Sequence, residues 1–313
     1  MRKLIVVTGG SKGIGRAVVE KFMSEGFDAV TCSRHLDELK NLKVELENTY
    51  SGSTLYIRES DMSVKADAQS FADYVLTLKR PPDVLINNAG YFVPGEIATE
   101  PEGNLESMIN ANLYSAYHLT RSLLPKMKEV KAGQIFNMCS IASIKAYPNG
   151  GSYAISKFAL LGFSKCLREE VKHLNIRVTA VMPGATKTRS WEGVDLPDDR
   201  FISVEDIGKI SAEIFSSPGN YIGQTITLSA VEMTNTEAAG LFSAVLGKNI
   251  TYQKLPAIIA RLAMGKKIFT MFKWLDKNGG RFTDDIDKLE KQFGPFLKLE
   301  EWIKINFQSV TEK

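Results

Sequence analysis

A tyrosine, a lysine and a serine form the group of residues best suited to chemistry. Tyr153 and Lys157 are four residues apart in the run YAISK, and Ser140 precedes the tyrosine by 13 positions. On a helix this spacing places both side chains on one face, so we expect the Lys157 ammonium to lower the phenol pKa. Ser140 ends a predicted strand, where its hydroxyl can orient a carbonyl group. A YxxxK spacing also arises by chance, so its weight depends on the neighbouring motifs.

Asn112 is a further candidate member of this group. It lies inside a predicted helix containing NANLYSAY, where a buried amide needs backbone or water partners. Two interpretations stay open: a structural amide, or a residue that holds a water between itself and Lys157 and so completes a proton path. With a nicotinamide as hydride donor, the whole group is suited to the reduction of a carbonyl.

The segment TGGSKGIGRA near the start predicts a dinucleotide-binding turn. Its glycines Gly9, Gly13 and Gly15 lie between the first predicted strand and a helix that begins near Ile14. Glycines let the backbone bend sharply and bring its N–H groups and the helix N-terminus against a pyrophosphate. The alternative is a tight turn without a ligand.

Two basic residues favour a 2′-phosphate on this cofactor. At the end of the second predicted strand, where an acidic residue would bind a ribose hydroxyl, the chain has Ser33 and Arg34. Lys12 adds a second cation in the glycine turn, and a guanidinium binds phosphate oxygens in a fork. We therefore predict NADP(H) rather than NAD(H). The alternative is that both cations are only solvated.

The ends of the third and fourth predicted strands add further candidate cofactor contacts. Asp61 can accept a hydrogen bond from an adenine amino group, while Asn87, Asn88, Ala89 and Gly90 close the fourth strand. Each is ordinary loop chemistry by itself. Together they lie at the carboxyl ends of parallel strands, the edge at which such sheets bind ligands.

Short apolar runs alternate with longer amphipathic segments along most of the chain. The apolar runs are LIVVTG, DAVTCS, TLYIRES, DVLINNAG, QIFNMCS, IRVTAVMPG and QTITLS. The predicted helices between them span 36–50, 64–79, 104–130, 152–174 and 204–215. Strands without polar alternation are typical of a parallel sheet covered on both faces. The sequence therefore predicts an α/β fold with about seven parallel strands.

The pattern changes after Leu228. Thr234 and Glu237 have capping-box spacing at the start of a predicted helix that Gly247 ends. The remaining predicted elements are a strand, ITYQKL, and helices at about 256–277, 284–293 and 299–307. We predict a nucleotide-binding and catalytic domain over 1–228 and a mainly helical lobe over 229–313.

The amino-acid composition limits which classes of partner and which cellular compartment we expect. The 39 basic and 36 acidic residues give a net charge of +3, too even to favour nucleic acid or an anionic membrane. Three cysteines at wide spacing fit neither a disulfide framework nor a metal site, so we expect a reducing, cytoplasmic compartment. Because the chain opens on a predicted apolar strand, we expect no secretion signal. We predict a small-molecule partner.

Other site classes find little support. The three histidines lie on separate predicted elements without metal-ligand spacing, and the chain has no GxSxG run. The apolar segment 256–274 contains four basic residues, which favours an amphipathic helix over a membrane span. We therefore expect no metal, no serine hydrolase and no membrane partner.

Over residues 1–205 these motifs resemble the short-chain dehydrogenase/reductase family. The matching strings, in chain order, are TGGSKGIG, NNAG at 87–90, Asn112, Ser140, YAISK, and PG at 183–184 followed by Thr186 and Thr188. The resemblance implies a Rossmann-type, doubly wound fold and pairing into dimers or tetramers through the helices that contain Asn112 and Tyr153. It also implies a catalytic set of Asn112, Ser140, Tyr153 and Lys157.

The resemblance completes the predicted cofactor site, with the segment 183–188 at the nicotinamide end. The full set of predicted contacts is Gly9, Ser11, Lys12, Gly13, Ile14, Gly15, Ser33, Arg34, Asp61, Met62, Asn88, Ala89, Gly90, Tyr153, Lys157, Pro183, Gly184, Thr186 and Thr188.

The end of the chain departs from the pattern of that family. From DIGKISAEIF to NITYQKLP it resembles the C-terminal part of the NmrA-like, atypical branch of the same superfamily, which includes redox-sensing regulators and reductases. The change falls near 198–206. We interpret the chain as a composite, natural or engineered. Its segment SWEGVDLPDDRF, where a compact family member carries a substrate lid, is short.

Two hypotheses about function follow. The leading one is an NADP(H)-dependent oxidoreductase that transfers hydride between nicotinamide and a carbonyl or secondary alcohol. The alternative is a non-catalytic NADP(H)-binding sensor or scaffold with a protein partner, or a composite chain with little activity. The complete set of Tyr153, Lys157 and Ser140 favours the enzyme, because a sensor has no chemical need for it.

Overall fold

A six-stranded parallel sheet organises the protein in the computed structural model, which describes residues 2–184, 186, 203–223, 235–251, 269–270 and 286–307. The strands are β1 Leu4–Thr8, β2 Asp28–Ser33, β3 Leu55–Glu59, β4 Val84–Asn87, β5 Gly133–Met138 and β6 Ile176–Val181. Their order across the sheet is β3-β2-β1-β4-β5-β6. The run predicted as a seventh strand, at 224–229, lies outside the described residues.

Helices connect the strands and continue into the C-terminal part. They are α1 Gly13–Ser24, α2 Leu36–Thr49, α3 Lys65–Leu76, α4 Asn104–Ile109, α5 Ser115–Val130, α6 Gly151–Val171, α7 Val204–Ser216, α8 Asn235–Leu246, α9 Ile286–Phe293 and α10 Leu299–Phe307. A π-helical turn, Asn110–Tyr114, joins α4 to α5. The single helix predicted over 104–130 is therefore three consecutive pieces.

Both faces of the sheet are buried. In β1, Leu4 and Val6 join an apolar cluster with residues of α3 and α5, whereas Ile5 and Val7 join a second cluster with residues of α1 and α2. All four side chains are fully buried. Successive strand residues point to opposite faces, so a strand covered on both sides needs apolar residues at every position. The predicted doubly wound arrangement is confirmed.

Helix α7 links the sheet to the C-terminal residues. Its Ile207 belongs to the second cluster, beside α1. Its Ile210 belongs instead to a small separate cluster, with Leu289 and Phe293 of α9 and the neighbouring Phe296. The two sides of one amphipathic helix thus bury two different surfaces.

Polar contacts strengthen the junction of α7 with the C-terminal residues. The buried Asp206 carboxylate accepts a hydrogen bond from the backbone N–H of Leu297 at 3.3 Å, and Lys209 Nζ donates to the Pro295 carbonyl at 2.9 Å. The described part of the chain contains no helix long and apolar enough to cross a membrane. The predicted strand at 250–255 and helix at 256–277 lie almost entirely outside the described ranges, and the boundary at 228 stays a prediction.

Candidate active site

One cavity of about 570 Å³ follows the carboxyl ends of the strands, including the point where the strand order reverses between β1 and β4. The predicted site residues that line it are Gly9, Ser11, Lys12, Gly13, Ile14, Ser33, Arg34, Asp61, Met62, Asn88, Ala89, Gly90, Ser140, Tyr153, Lys157, Pro183, Gly184 and Thr186. Gly15 and Asn112 lie behind this lining, and Thr188 lies outside the described residues.

The turn between β1 and α1 has a backbone that only glycine adopts readily. Gly9 has φ +68° and Gly13 has φ +55°. A Cβ atom on Gly15 would lie 2.3 Å from the Gly9 carbonyl oxygen and 2.6 Å from Asn88 Nδ2. Gly15 therefore lets the first turn of α1 approach the ends of β1 and β4. A bare turn followed by a helix N-terminus suits a pyrophosphate, so the residues present fit a dinucleotide.

Thr8 and Asn88 brace the middle of the cavity. The Thr8 hydroxyl oxygen accepts hydrogen bonds from the backbone N–H groups of Asn88 and Ala89, each at 2.9 Å. In return, Asn88 Nδ2 donates to the Thr8 carbonyl at 2.9 Å. These contacts hold the loop after β4 against the end of β1, beside the glycine turn.

The two predicted cations lie near the end of β2, in different environments. Arg34 is exposed. Lys12 Nζ instead forms an ion pair with the carboxylate of Glu38, in the first turn of α2. Glu38 also lines the cavity, and sequence reasoning missed it. Its only signal in the sequence is an acidic residue in a first helical turn, which is common in proteins.

One carboxylate oxygen of Asp61 accepts hydrogen bonds from within its own turn. Its Oδ1 accepts hydrogen bonds from the backbone N–H of Ser63 at 2.9 Å and from the Ser63 hydroxyl at 2.7 Å. The carboxylate lines the cavity beside Met62. The predicted contact with an adenine amino group stays a prediction.

Tyr153 and Lys157 lie in the first two turns of α6, as their spacing predicted. Lys157 Nζ lies 5.8 Å from the centre of the Tyr153 ring and donates a hydrogen bond to the Met138 carbonyl at 2.8 Å. Burial lowers the pKa of Lys157 to about 8, and the nearby Cys139 thiol acts in the opposite direction. The ammonium is therefore tied to the end of β5 at the same time as it faces the ring.

The pKa of the Tyr153 phenol is raised above its usual value. Burial is the main cause; a hydrogen bond with the Ser140 side chain lowers the pKa, and the neighbouring Cys139 raises it again. The expectation of a lowered phenol pKa is therefore wrong for this structure, because burial dominates. At neutral pH the phenol keeps its proton.

Ser140 is fixed at the end of β5 by its own backbone. It caps a short 3-10 helix, Ile141–Ser143, and its hydroxyl accepts a hydrogen bond from the Ala142 N–H at 3.1 Å. Its N–H in turn donates to the Ser143 hydroxyl at 3.1 Å. The hydroxyl is held beside Tyr153, as the sequence predicted for a pair that would act on one carbonyl oxygen.

Asn112 lies in the π-helical turn and is 1% exposed. Its Oδ1 accepts from the Tyr91 N–H at 2.9 Å, and its Nδ2 donates to the Tyr91 carbonyl at 3.1 Å and to the Ser156 hydroxyl at 2.9 Å. The side-chain amide thus joins the loop after β4 to α6. This favours the structural interpretation of the side chain, and the proposed water relay to Lys157 stays a prediction.

The loop after β6 closes the cavity near Ser140. The Pro183 carbonyl accepts a hydrogen bond from the Ile141 N–H at 3.1 Å, and the Thr186 hydroxyl donates to the Gly184 carbonyl at 3.2 Å. These residues line the cavity on the side of the reacting groups. Their contact with a nicotinamide is a prediction from the family resemblance.

Aromatic side chains around Tyr153 were missed by sequence reasoning. The Phe92 ring packs edge-on against the Tyr153 ring, with centroids 4.8 Å apart. Tyr91 and Tyr147 also line the cavity, and burial raises the pKa of the Tyr147 phenol. The position of Tyr91 and Phe92 directly after NNAG was the available signal. Tyr147 lies in an irregular loop that gave none.

Comparisons with known families agree with this geometry. The short chain dehydrogenase family model matches residues 3–197, and the NmrA-like family model matches residues 159–303. The two matches overlap from within α6 to the segment after β6. The second match begins at 159, before the first ends at 197, so the change of resemblance expected near 198–206 stays a prediction.

Individual relatives and a solved structure support the same assignment. A sepiapterin reductase from Chlorobaculum tepidum is 29% identical over 73% of this chain and 96% of its own length. Mouse (Mus musculus) dehydrogenase/reductase SDR family member 7B is 33% identical over 71% of this chain and 70% of its own length. The structure of L-sorbose reductase from Gluconobacter frateurii, complexed with NADPH and L-sorbose, has a TM-score of 0.65 at 26% identity, covering 70% of this chain and 92% of that one.

The first family match covers more than half of the chain and contains every described element of the sheet. This protein therefore belongs to the short chain dehydrogenase family, an oxidoreductase family, and has an NmrA-like C-terminal part.

Proposed function

We propose that the protein is an NADP(H)-dependent oxidoreductase that interconverts a carbonyl compound and a secondary alcohol by hydride transfer. The observation that carries this proposal is that Tyr153, Ser140 and Lys157 line the same cavity as the glycine turn. NADPH in the L-sorbose reductase structure supports the choice of cofactor. Arg34 and Lys12, at the end of β2, would hold the 2′-phosphate.

The reacting residues have distinct roles in this proposal. A nicotinamide held in this cavity would supply the hydride. Ser140 orients the carbonyl oxygen by a hydrogen bond, and Tyr153 transfers its proton to that oxygen. Burial raises the pKa of Tyr153, so the phenol is protonated at neutral pH, which favours carbonyl reduction. Lys157 holds a positive charge near the phenol as the proton leaves.

The test is NADPH oxidation with a panel of neutral ketones and aldehydes, compared between the wild type and Tyr153→Phe. We expect Tyr153→Phe to lower kcat by about 100-fold or more, because the proton donor is lost, and to leave the NADPH Kd within about twofold. Tyr147→Phe removes a second, likewise half-buried phenol from the same cavity and serves as the matched control. Equal turnover by the wild type and Tyr153→Phe would contradict the proposal.

The NmrA-like match favours a second candidate function, a non-catalytic NADP(H) sensor or scaffold. In that case the wild type binds NADPH but oxidises none with any carbonyl compound, and Tyr153→Phe changes nothing. The lobe over 229–313 would then bind a protein partner. In an enzyme, the same lobe would form part of the substrate-binding site or regulate the activity. We also propose that the chain is of composite origin, that the protein is cytoplasmic, and that it forms a homodimer or a homotetramer.

A further inference from the structure

The ion pair between Lys12 and Glu38 lies where the proposed function needs a free cation. Both side chains line the cavity near the end of β2, together with Ser33 and Arg34. Lys12 precedes the first turn of α1, and Glu38 belongs to the first turn of α2. The pair thus joins the two elements that enclose the expected 2′-phosphate position.

From this arrangement we infer that Glu38 is a specificity-determining residue, which competes with the cofactor's 2′-phosphate for Lys12 and so weakens the preference for NADP(H) over NAD(H). The inference rests on the proposed function. One ammonium cannot satisfy a carboxylate and a phosphate fully, and the carboxylate also repels the phosphate at short range. NADPH must displace or share this contact, whereas NADH, which has only a ribose hydroxyl there, need not.

The strength of the ion pair makes such competition feasible. The side chains of Lys12 and Glu38 are 36% and 32% exposed. Water screens ion pairs this exposed and makes them weak, so a phosphate can break the pair. The pair is thus strong enough to alter the affinity for NADP(H) several-fold and too weak to exclude this cofactor.

Two variants test the competition through the Kd of NADPH and NADH, measured by titration of the protein with each nucleotide. We expect Glu38→Gln to lower the NADPH Kd by roughly 3- to 10-fold, with less effect at high salt, and to leave the NADH Kd within about twofold. We expect Lys12→Met to raise the NADPH Kd by roughly tenfold and to change the NADH Kd little.

Asp37→Asn is the matched control. Asp37 is the preceding residue in the same helical turn, and its side chain is 94% exposed, so this variant removes an equal charge without touching the pair. We expect both of its Kd values to stay within about twofold of wild type. Glu38→Ala gives a second, independent removal of the carboxylate, and melting temperatures confirm that each variant is folded.

Several results would overturn the inference. They are an NADPH Kd that is unchanged or higher in Glu38→Gln, a change confined to NADH, or an equal gain in Asp37→Asn. A Lys12→Met variant with wild-type affinity for NADPH would also overturn it. If the wild type binds NADPH and only these variants fail to respond, the proposed function survives. If the wild type does not bind NADPH, both proposals fail.

Discussion

At the scale of single residues, Tyr153 keeps its proton at neutral pH, as its proposed role of proton donor requires. Burial raises the pKa of its phenol, and the hydrogen bond with Ser140 opposes that change only in part. Lys157 is buried, which lowers the pKa of its ammonium to about 8, so most of it is charged at pH 7. The site therefore holds an acid that stays protonated and a cation that is lost at moderately alkaline pH.

Replacing Lys157 by methionine tests how much the buried charge lowers the free energy of unfolding. The folded pKa of Lys157 is lowered from 10.5 to about 8, so its burial destabilises the fold most below pH 8, and this cost disappears as the pH rises to about 10.5. We expect Lys157→Met to be the more stable protein at pH 7, by up to about 3 kcal/mol. Urea unfolding of both proteins at several pH values measures the difference. A difference that is constant with pH would contradict the prediction.

Replacing Arg34 by aspartate tests the choice of cofactor. The variant loses the guanidinium and places a carboxylate at the end of β2, where one binds the ribose hydroxyls of NAD. We expect the NADPH Kd to rise by roughly tenfold or more and NADH to be relatively favoured. Nucleotide titration measures both. The same charge change at the exposed Lys40 of α2 is the control. An unchanged preference would show that Arg34 is only solvated.

At the scale of elements, two contacts position the start of α6 against the loop after β4. The Glu100 carboxylate accepts hydrogen bonds from the Ser152 hydroxyl and from its backbone N–H. Asn112 joins Tyr91 of the same loop to Ser156. Tyr153 lies between these contacts, so the loop and the π-helical turn together determine where the phenol lies.

Removing the Glu100 carboxylate tests this arrangement. Glu100 satisfies N-terminal groups of α6 and places a negative charge at the positive end of the helix. We expect Glu100→Ala to lower the free energy of unfolding by about 1–2 kcal/mol, and kcat/KM several-fold, because α6 carries Tyr153. Glu100→Gln, which keeps an acceptor oxygen, should recover part of both losses.

Urea unfolding and steady-state kinetics measure the effects at Glu100, with Glu96→Ala as the control. Glu96 belongs to the same loop and is exposed. We expect its replacement to change stability by less than about 0.5 kcal/mol. Equal effects of Glu100→Ala and Glu96→Ala would mean that the carboxylate does not support α6.

At the scale of the whole molecule, α7 belongs to two packing surfaces. One side packs with α1 in the core beside the sheet, and the other packs with α9. Helix α7 follows the end of the short chain dehydrogenase match and lies within the NmrA-like match. Among the described residues, the cavity lining ends at Thr186. The described C-terminal residues therefore pack away from the cofactor cavity.

Replacing Phe293 by alanine tests whether the C-terminal part stabilises the protein without shaping the cofactor site. Phe293 is 6% exposed, and its ring stacks on Tyr221 with centroids 5.5 Å apart. We expect Phe293→Ala to cost about 3–5 kcal/mol of local packing, seen as a lower melting temperature, and to leave the NADPH Kd within about twofold. The control is Ile222→Ala, at a neighbouring side chain that is 71% exposed. Loss of NADPH binding in folded Phe293→Ala would contradict this separation.

Local patterns in the sequence were sufficient for much of the fold. Strands such as LIVVTG are buried on both faces, so they appear as short apolar runs rich in β-branched residues, which distinguishes them from the longer amphipathic helices. The helices at 36–49 and 204–216 end within one residue of their predicted positions, because their apolar spacing ends there. The π-helical turn at 110–114 was not predicted, since its backbone hydrogen bonds leave no distinct spacing of side chains.

By itself the sequence determined the fold class, the family and the glycine turn, and it selected Tyr153, Lys157 and Ser140 as the candidate reacting residues, because each depends on residue types at short, fixed spacing. Only the tertiary structure decided that burial raises the Tyr153 pKa and that Glu38 pairs with Lys12. Both depend on groups far apart in the chain, whose distances and exposure to water arise only when the sheet and its helices pack together.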